Sequence, residues 1–515
     1  MSMPRTERVD SAPLRSNPGV TMCLFSTPWF APAVVFTATL VIRLLVWDNR
    51  LVGWDEWILT TISSRVGLSW LPRGDWYDLL VPTGYSYPSF FFWLNGILIY
   101  LLGATPLIFR LVTVLSDAAS AAMAAALGRR IGGHWTAWTA GLLASSYLYL
   151  SFHDTVTIDF LVSFWVLLSV RLFIAALDRN DRRLMLLSVF LGGLGCFTKY
   201  HGVVYFATLC TMVLVIPTTR NMLRRKKFVS FAAAALAFPC LLLALEGLTW
   251  HFYGFAKTHL AEVFRVLTWT SYVQDPFTGE LTRPQWHYYL AYCWTQLGAV
   301  TCLLVLAGMA VALKRRTRDT MVLLAIVVVW MLWATFSELK NARYILPAVF
   351  LMLIFAGIPL RELARTGPIG RVVAAILLVW VTLAGFWATW LRIRDYLDTA
   401  DRNGRVAQGV NTRTPPEAVV LAESVLFQAT DPVGIEPIKR LVITPETPQW
   451  ERRISYFISD EGAFEMLAKG VIPSQEGYVA ERERIVEEWS VLLDIGTGKK
   501  RVRVLQRPDA VLSEP

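Results

Sequence analysis

"SFFFWLNGILIYLLG", residues 89–103, is strongly apolar, yet shorter than the roughly 20 residues a helix needs to cross a hydrocarbon core of about 30 Å. Its reading fixes the side on which every later loop lies. If the stretch does not cross, the basic clusters fall together. The N-terminal tail, Arg129-Arg130, "DRNDRR" (178–183), "RNMLRRKK" (220–227), "KRRTR" (314–318) and "RELARTGPIGR" (361–371) then share one side. The positive-inside rule makes that side cytoplasmic. If the stretch did cross, the tail would be cytoplasmic and all the later clusters external. The first arrangement is therefore expected, with 89–103 as an interfacial or re-entrant helix packed against a bundle.

Composition agrees with a polytopic membrane protein. The 515 residues are 55% hydrophobic and 17% charged, with a mean hydropathy of +0.46, a balance soluble domains rarely reach. The 21 tryptophans suit side chains seated at headgroup level. A net charge of +10 is spread as short basic clusters between apolar runs. That is an orientation signal, and no nucleic-acid face is expected. The cysteines, Cys23, Cys196, Cys210, Cys240, Cys293 and Cys302, lie in or beside apolar runs without metal-ligand spacing, so no disulfide framework is implied. Residues 1–27 are polar and basic before the first apolar run, and read as a retained cytoplasmic tail rather than a signal peptide.

Candidate spans begin near residues 28, 106, 135, 155, 184, 203, 228, 287, 320, 344 and 372. The expected architecture is an α-helical membrane domain over 28–392, with about eleven spans plus the interfacial helix. From residue 393 charges rise and Pro and Gly punctuate shorter apolar runs. "AVVLAES" (418–424), "RISYFIS" (453–459) and "WSVLLDIGTGKKRVRVLQR" (489–507) read as strands, the last with a Gly-containing hairpin. "DEGAFEMLAKG" (460–470) has helical spacing and a terminal Gly. Residues 393–515 are thus expected to form a small α/β domain on the external, periplasmic face.

Ionisable groups in or beside spans are costly and mark candidate sites. The unusual ones all fall on the external side. "LVGWDEWILTTISS" (51–64) sets Asp55 and Glu56 between Trp54 and Trp57. Adjacent helical positions point about 100° apart, so one acid can face a cavity while the other caps or pairs locally. "SFHDTVTID" (151–159) holds His153 and Asp154 in a turn, with Asp159 slightly deeper. Asp154 is a natural helix cap, whereas a membrane-embedded Asp159 needs a partner. "FTKYHG" (197–202) places Lys199 at a helix end beside Tyr200 and His201, where snorkelling to the headgroups is the plainer role. "SELKNARY" (337–344) adds Lys340, Arg343 and Tyr344, cations on the side the positive-inside trend disfavours. There is no Walker A loop, HExxH or GxSxG. Carboxylates from two loops and cations from two others suit a reaction on a lipid-linked phosphate. The cations would hold the leaving phosphate, and a carboxylate would activate an acceptor.

The Asp-Glu pair is followed by "PRGDWYDLLVPTGYSYPSFFFWLNGILIYLLGATPLIFRL" (72–111). Then come "SFHDTVTIDFLVSFWVLLSVRLFIAAL" (151–177), "LGGLGCFTKYHGVV" (191–204) and "LKNARYILPA" (339–348). In this order the chain resembles membrane glycosyltransferases of the protein O-mannosyltransferase type, most of all the bacterial lipid-A aminoarabinose transferases and the related lipopolysaccharide-core glycosyltransferases. The resemblance runs over residues 28–360. It implies a C-type glycosyltransferase fold, a polyprenyl-phosphate sugar donor, a lipid or glycan acceptor, and inversion at the anomeric carbon. By the same resemblance Asp55 is the acid of the first external loop and Asp159 that of the second. Lys199 is the lysine of the "TK" element, and Arg343 with Tyr344 the pair near the lipid phosphate. Before the interfacial helix, where relatives carry His-Pro-Pro or Glu-Lys-Pro, this chain has "YSYP" (85–88). After the acidic pair stand Trp57 and Ile58, where some relatives place a phosphate-binding Arg; Arg65, Tyr85 or Tyr87 are the candidates to compensate for it.

The expected reaction is a single displacement. Asp55 deprotonates or orients an acceptor hydroxyl or amine, and polyprenyl phosphate departs toward Lys199 and Arg343, with Lys340 nearby. Asp55, His153 and Asp154 could supply ligands to a divalent metal ion, although their spacing does not require one. The alternatives are a transporter or flippase of lipid-linked glycans and a non-catalytic binder of them. Transporters usually show internal repeats and charges near the midplane, neither of which is visible here.

Overall fold

The computed structural model describes residues 27–45, 90–103, 105–146, 157–199, 201–217, 286–337, 342–416, 418–423, 454–461, 478–498 and 501–508, with short pieces at 63, 219, 273–274, 281–282, 441–443 and 463–464. The first helices are α1 (Phe30–Leu45), α2 (Phe90–Leu102), α3 (Pro106–Ser146), α4 (Asp159–Arg179), α5 (Arg182–Thr198) and α6 (Gly202–Val215). A two-residue antiparallel ladder, β1 (Val273–Gln274) with β2 (Leu281–Thr282), precedes α7 (Tyr288–Leu297), α8 (Ala299–Arg315) and α9 (Arg318–Phe336). A 3₁₀ turn at Ala342–Ile345 then leads into α10 (Leu346–Arg365) and α11 (Pro368–Arg413). Among the described residues, five helices are long and apolar enough to cross a membrane, or six if the α7–α8 pair counts as one. The chain is a multi-pass membrane protein.

The deciding stretch is α2. Its 13 residues span about 20 Å at 1.5 Å per residue, short of a hydrocarbon core of about 30 Å. One face, with Phe91, Phe92, Asn95 and Ile99, is buried, and Trp93, Ile97, Tyr100 and Leu101 are exposed. Asn95 donates to the Phe109 carbonyl at 3.3 Å, which pins α2 to α3. Two further features depart from simple spans. Gly133 (φ 74°) breaks α3 beside Arg129-Arg130, so the spans expected from 106 and 135 meet there. The span expected from 287 is bent by 115° between α7 and α8, at Gly298 (φ 77°). The candidate span near 228 lies outside the described residues, as does most of the helix expected at 460–470.

α10 is the buried axis of the bundle. Small residues let its backbone approach its neighbours: a Cβ on Gly308 of α8 would lie 1.9 Å from the Phe355 carbonyl oxygen. Close approach of this kind is how helices pack in lipid, where apolar contact alone gives no preference for protein over tails. At one end of the bundle Arg130 pairs with Asp178 at 2.5 Å and Asp319 at 2.8 Å. Arg318 joins both acids, and Arg315 pairs with Glu362 at 2.7 Å. The described basic clusters therefore collect at the same end. Asp159 and Asp178 stand 19 residues apart on α4, about 29 Å along its axis. Asp159 thus belongs to the opposite end.

α11 runs unbroken from Pro368 to Arg413, past the change in composition at 393. Its last turns enter a five-stranded sheet: β3 (Val419–Ala422), β4 (Leu441–Ile443), β5 (Tyr456–Asp460), β6 (Ser490–Ile495) and β7 (Val502–Gln506), in the order β4-β3-β5-β7-β6. β3 is parallel to β4 and β5, whereas β7 is antiparallel to β5 and β6. Val406, Ala407 and Val410 of α11 cover one face with Val420, Ala422, Tyr456 and Ile458. Helix α12 (Tyr478–Glu488) covers the other, packing Tyr478 and Ile485 against Leu421, Phe457 and Leu505. The strand alternation assigns each face its residues.

Glu423 follows β3 and is buried. It accepts from Tyr478 Oη at 2.7 Å, Arg482 Nε at 3.0 Å and the Asp460 amide at 2.5 Å. Burial pushes its carboxyl up to about 7, against the opposing pull of Arg482, Tyr478 and the Asp460 amide. The folded state therefore keeps a proton up to about pH 7 that the unfolded chain releases near 4.5. The stability this group contributes is full below pH 4.5 and is lost as pH rises toward 7. Relative to Glu423→Gln, the wild-type chain is expected to lose on the order of 3 kcal/mol across that window, measured by denaturant unfolding of the full-length protein. A wild-type-minus-variant difference that stays flat with pH would overturn the assignment.

Candidate active site

The α4–α5 hairpin brings the site together. Asn180 takes the left-handed conformation that ends α4, and Asp181 caps α5 by accepting from the Arg183 and Leu184 amides. The turn returns the chain along α4, so Asp159 at the start of one helix meets Lys199 at the end of the other. A second turn, closed by Gly202 N–H donating to the Lys199 carbonyl at 2.9 Å, starts α6. Only glycine fits here, since a Cβ on Gly202 would lie 2.5 Å from the Gly195 carbonyl.

Lys199 Nζ donates to both oxygens of Asp159 at 2.9 Å, and the Asp159 side chain is 1% exposed. Thr157 Oγ1 adds a hydrogen bond to Oδ2 at 2.9 Å. Thr157 is itself held by α3, where Thr113 Oγ1 donates to its carbonyl and accepts from its amide, each at 3.1 Å. From the 3₁₀ turn, Arg343 Nε stands 3.9 Å from Asp159 Oδ2. The Tyr344 ring lies 4.7 Å beneath the Lys199 ammonium, a cation–π contact. Tyr344 is fixed by its carbonyl, which accepts from Trp330 Nε1 at 2.7 Å. The His201 ring sits among Tyr344, Trp330 and Trp333, with centroids 5.0, 6.2 and 6.1 Å away. Its Nε2 is 3.4 Å from Asp159 Oδ1.

Two cations from elements more than 140 positions apart (Lys199 and Arg343) thus converge on one buried carboxylate, beside aromatic faces. Charges act strongly at short range where water is excluded. Such a cluster can bind an anion that competes with Asp159 for the two cations.

Of the residues singled out in the sequence, Asp159, Lys199, His201, Arg343 and Tyr344 are brought together. Asp55, Glu56, Arg65, Tyr85, Tyr87, His153, Asp154 and Lys340 lie outside the described residues. No group of three metal-ligating side chains occurs among the described residues. The sequence reading missed a second buried pair beside the site. Arg43, in the last turn of α1, donates Nε to Asp117 Oδ2 at 2.7 Å and lies 5.1 Å over the ring of Phe160. Ionisable residues inside two apolar runs were its visible signal. Trp330 and Trp333 were also missed, because a tryptophan in a span carries no mark of what it packs against.

Residues 86–244 match the family model described as dolichyl-phosphate-mannose-protein mannosyltransferase. An undecaprenyl phosphate-alpha-4-amino-4-deoxy-L-arabinose arabinosyl transferase from Pseudomonas aeruginosa (strain LESB58) is 26% identical over 326 residues, 60% of this chain and 56% of that protein. The enzyme of the same name from strain UCBPP-PA14 is 25% identical over 63% of this chain and 61% of its own length. The chain therefore spans less than two thirds of these relatives. The crystal structure of ArnT from Cupriavidus metallidurans bound to undecaprenyl phosphate superposes with a TM-score of 0.58, covering 93% of this chain and 98% of that one at 15% identity. The chain has the C-type glycosyltransferase fold. The oligosaccharyltransferase of Archaeoglobus fulgidus shares it, with a TM-score of 0.58 over 91% of this chain at 12% identity. Within this C-type fold, the segment matched by the family model carries α2 to α6, and so Asp159, Lys199 and His201. Arg343 and Tyr344 reach the site from beyond it.

Proposed function

We propose that this chain is an inverting glycosyltransferase. It moves a hexosyl or pentosyl group from a polyprenyl-phosphate donor to a lipid, glycan or protein acceptor at the outer face of the cytoplasmic membrane. The convergence of Lys199 and Arg343 on buried Asp159 carries this reading, at the end of the bundle opposite the basic clusters. The donor named for the Pseudomonas aeruginosa relatives, an undecaprenyl phosphate derivative of a pentose, supports it. Residues 393–515 would then face the periplasm with the site.

In this reaction an acceptor lone pair forms the new bond to the anomeric carbon while the bond to the phosphate oxygen breaks, and its electron pair leaves with the phosphate. Lys199 and Arg343 stabilise that charge as it grows. Asp159 already accepts from Lys199 and Thr157, which suits a counter-ion that holds the cations in place between turnovers. The acceptor proton passes instead to Asp55, with Glu56, Asp154, Tyr85 and Tyr87 as neighbouring candidates for orienting the acceptor.

A screen of synthetic polyprenyl-phosphate sugars against the purified protein tests the reading. Transfer from one of them, with inversion, is expected. Translocation of an intact lipid-linked sugar without transfer would instead make the chain a flippase. Arg343→Ala is expected to raise the donor KM roughly 10- to 100-fold, the worth of a hydrogen bond to a charged group. An unchanged KM would remove Arg343 from the phosphate site.

A further inference from the structure

The imidazole of His201 is 5% exposed, and its Nε2 is buried without a hydrogen-bond partner. A polar atom left so in an apolar setting is costly, and this one faces Asp159 Oδ1 at 3.4 Å. The ring is not loosely placed. It stacks on Trp333 at an interplanar angle of 25°, meets Trp330 edge-on at 78° and touches Tyr344. Trp330 is in turn tied to the Tyr344 carbonyl. A shift of about half an ångström would bring Nε2 to the ordinary N–H···O distance of about 2.9 Å.

The distribution of partners on Asp159 gives this orphan a purpose. Oδ2 keeps Thr157 Oγ1, with Arg343 close by. Oδ1 is bonded to Lys199, and among the described residues His201 Nε2 also faces it, at 3.4 Å. A phosphate drawn into the site takes Lys199 from Asp159 at least in part. A buried carboxylate stripped of its cation is strongly destabilised. A hydrogen bond from Nε2–H to Oδ1 offsets part of that penalty.

We propose that His201 is a positioning residue that takes over Asp159 Oδ1 when Lys199 turns to the phosphate of the lipid donor. The inference rests on the donor reading above and adds the exchange of partners. In the ligand-free site Lys199 holds both oxygens and Nε2 waits. With lipid phosphate bound, Nε2–H donates to Oδ1 and the ammonium is released to the phosphate. The exchange moves no proton between residues and needs no further reactant.

Binding of undecaprenyl phosphate to the full-length protein in nanodiscs, with donor kinetics on the same samples, tests the proposal. His201→Phe keeps the ring among its aromatic neighbours and removes the donor; His201→Gln keeps a donor. His201→Phe is expected to weaken lipid-phosphate binding and raise the donor KM about 10-fold or more, with kcat changed less than about 3-fold. His201→Gln is expected to recover most of the loss. In an Asp159→Asn background, His201→Phe is expected to have little further effect, because the carboxylate it serves is gone. Wild-type-like binding by His201→Phe overturns the proposal alone, as does an equal loss in His201→Gln or full additivity with Asp159→Asn. Absence of binding by the wild-type protein overturns the donor reading and this proposal with it.

Discussion

Lys199→Ala is expected to reduce transfer by at least about 10³-fold. Removing one donor aimed at developing charge costs roughly 10²–10³-fold in other enzymes, and Lys199 brings a full charge as well. The same substitution leaves Asp159, 1% exposed, without its bidentate partner, and breaking a buried pair from one side costs about 3–5 kcal/mol. Loss of activity and loss of stability would therefore arrive together. Lys199→Ala combined with Asp159→Asn separates them, since removing both charges takes away the stranded carboxylate. The double variant is expected to regain most of the thermal stability but not the transfer, and to bind undecaprenyl phosphate weakly. Near wild-type kcat/KM in that double variant would remove Lys199 from the reaction and reduce its pairing with Asp159 to a packing role.

The meeting of Asp159 and Lys199 was within reach of the sequence. Two apolar runs joined by "DRNDRR" make an antiparallel hairpin, and a hairpin returns the end of its second helix to the start of its first. Charge parity likewise placed Arg343 at the same end. Neither rule supplies a distance. That Thr113 grips Thr157, or that Trp330 and Trp333 enclose His201, depends on how helices rotate about their axes when packed. α3 and α10 are buried on nearly all sides, so periodicity says little about which face meets which neighbour. The bend at Gly298 escaped for a different reason: a 115° break leaves the hydropathy of the run unchanged. Beyond the membrane, the hairpin of β6 and β7 announced itself through "GTG", and Gly496 and Gly498 indeed take positive φ. Helix α12 was passed over even though Tyr478, Arg482 and Ile485 share a buried stripe. An arginine sits in that stripe, and its burial makes sense only once Glu423 is known to lie opposite.

Asp55→Asn is expected to lower kcat by about 10²–10⁴-fold, the usual worth of a positioned general base, and to leave binding of undecaprenyl phosphate near the wild-type level. This signature is opposite to that of Lys199, and the contrast gives the test its force. The described residues bear on it through α1. Arg43 anchors the end of that helix to Asp117 and lies against Phe160, the neighbour of Asp159. From Leu45 to Asp55 the chain can extend no further than about 35 Å, a reach that allows the first acidic pair to serve the Lys199–Arg343 cluster in the proposed reaction. Among the described residues of that site, the carboxylate is already committed to Lys199 and Thr157, and the acceptor proton needs another destination. An aspartate and a glutamate side by side face different directions on a helix, so Glu56→Gln is expected to cost far less than Asp55→Asn. If Asp55→Asn turned over at a near-normal rate while Glu56→Gln or Asp154→Asn did not, the base would be reassigned to that acid. The phosphate half of the proposed mechanism would stand, because the roles proposed for Lys199 and Arg343 concern the bond that breaks and not the one that forms.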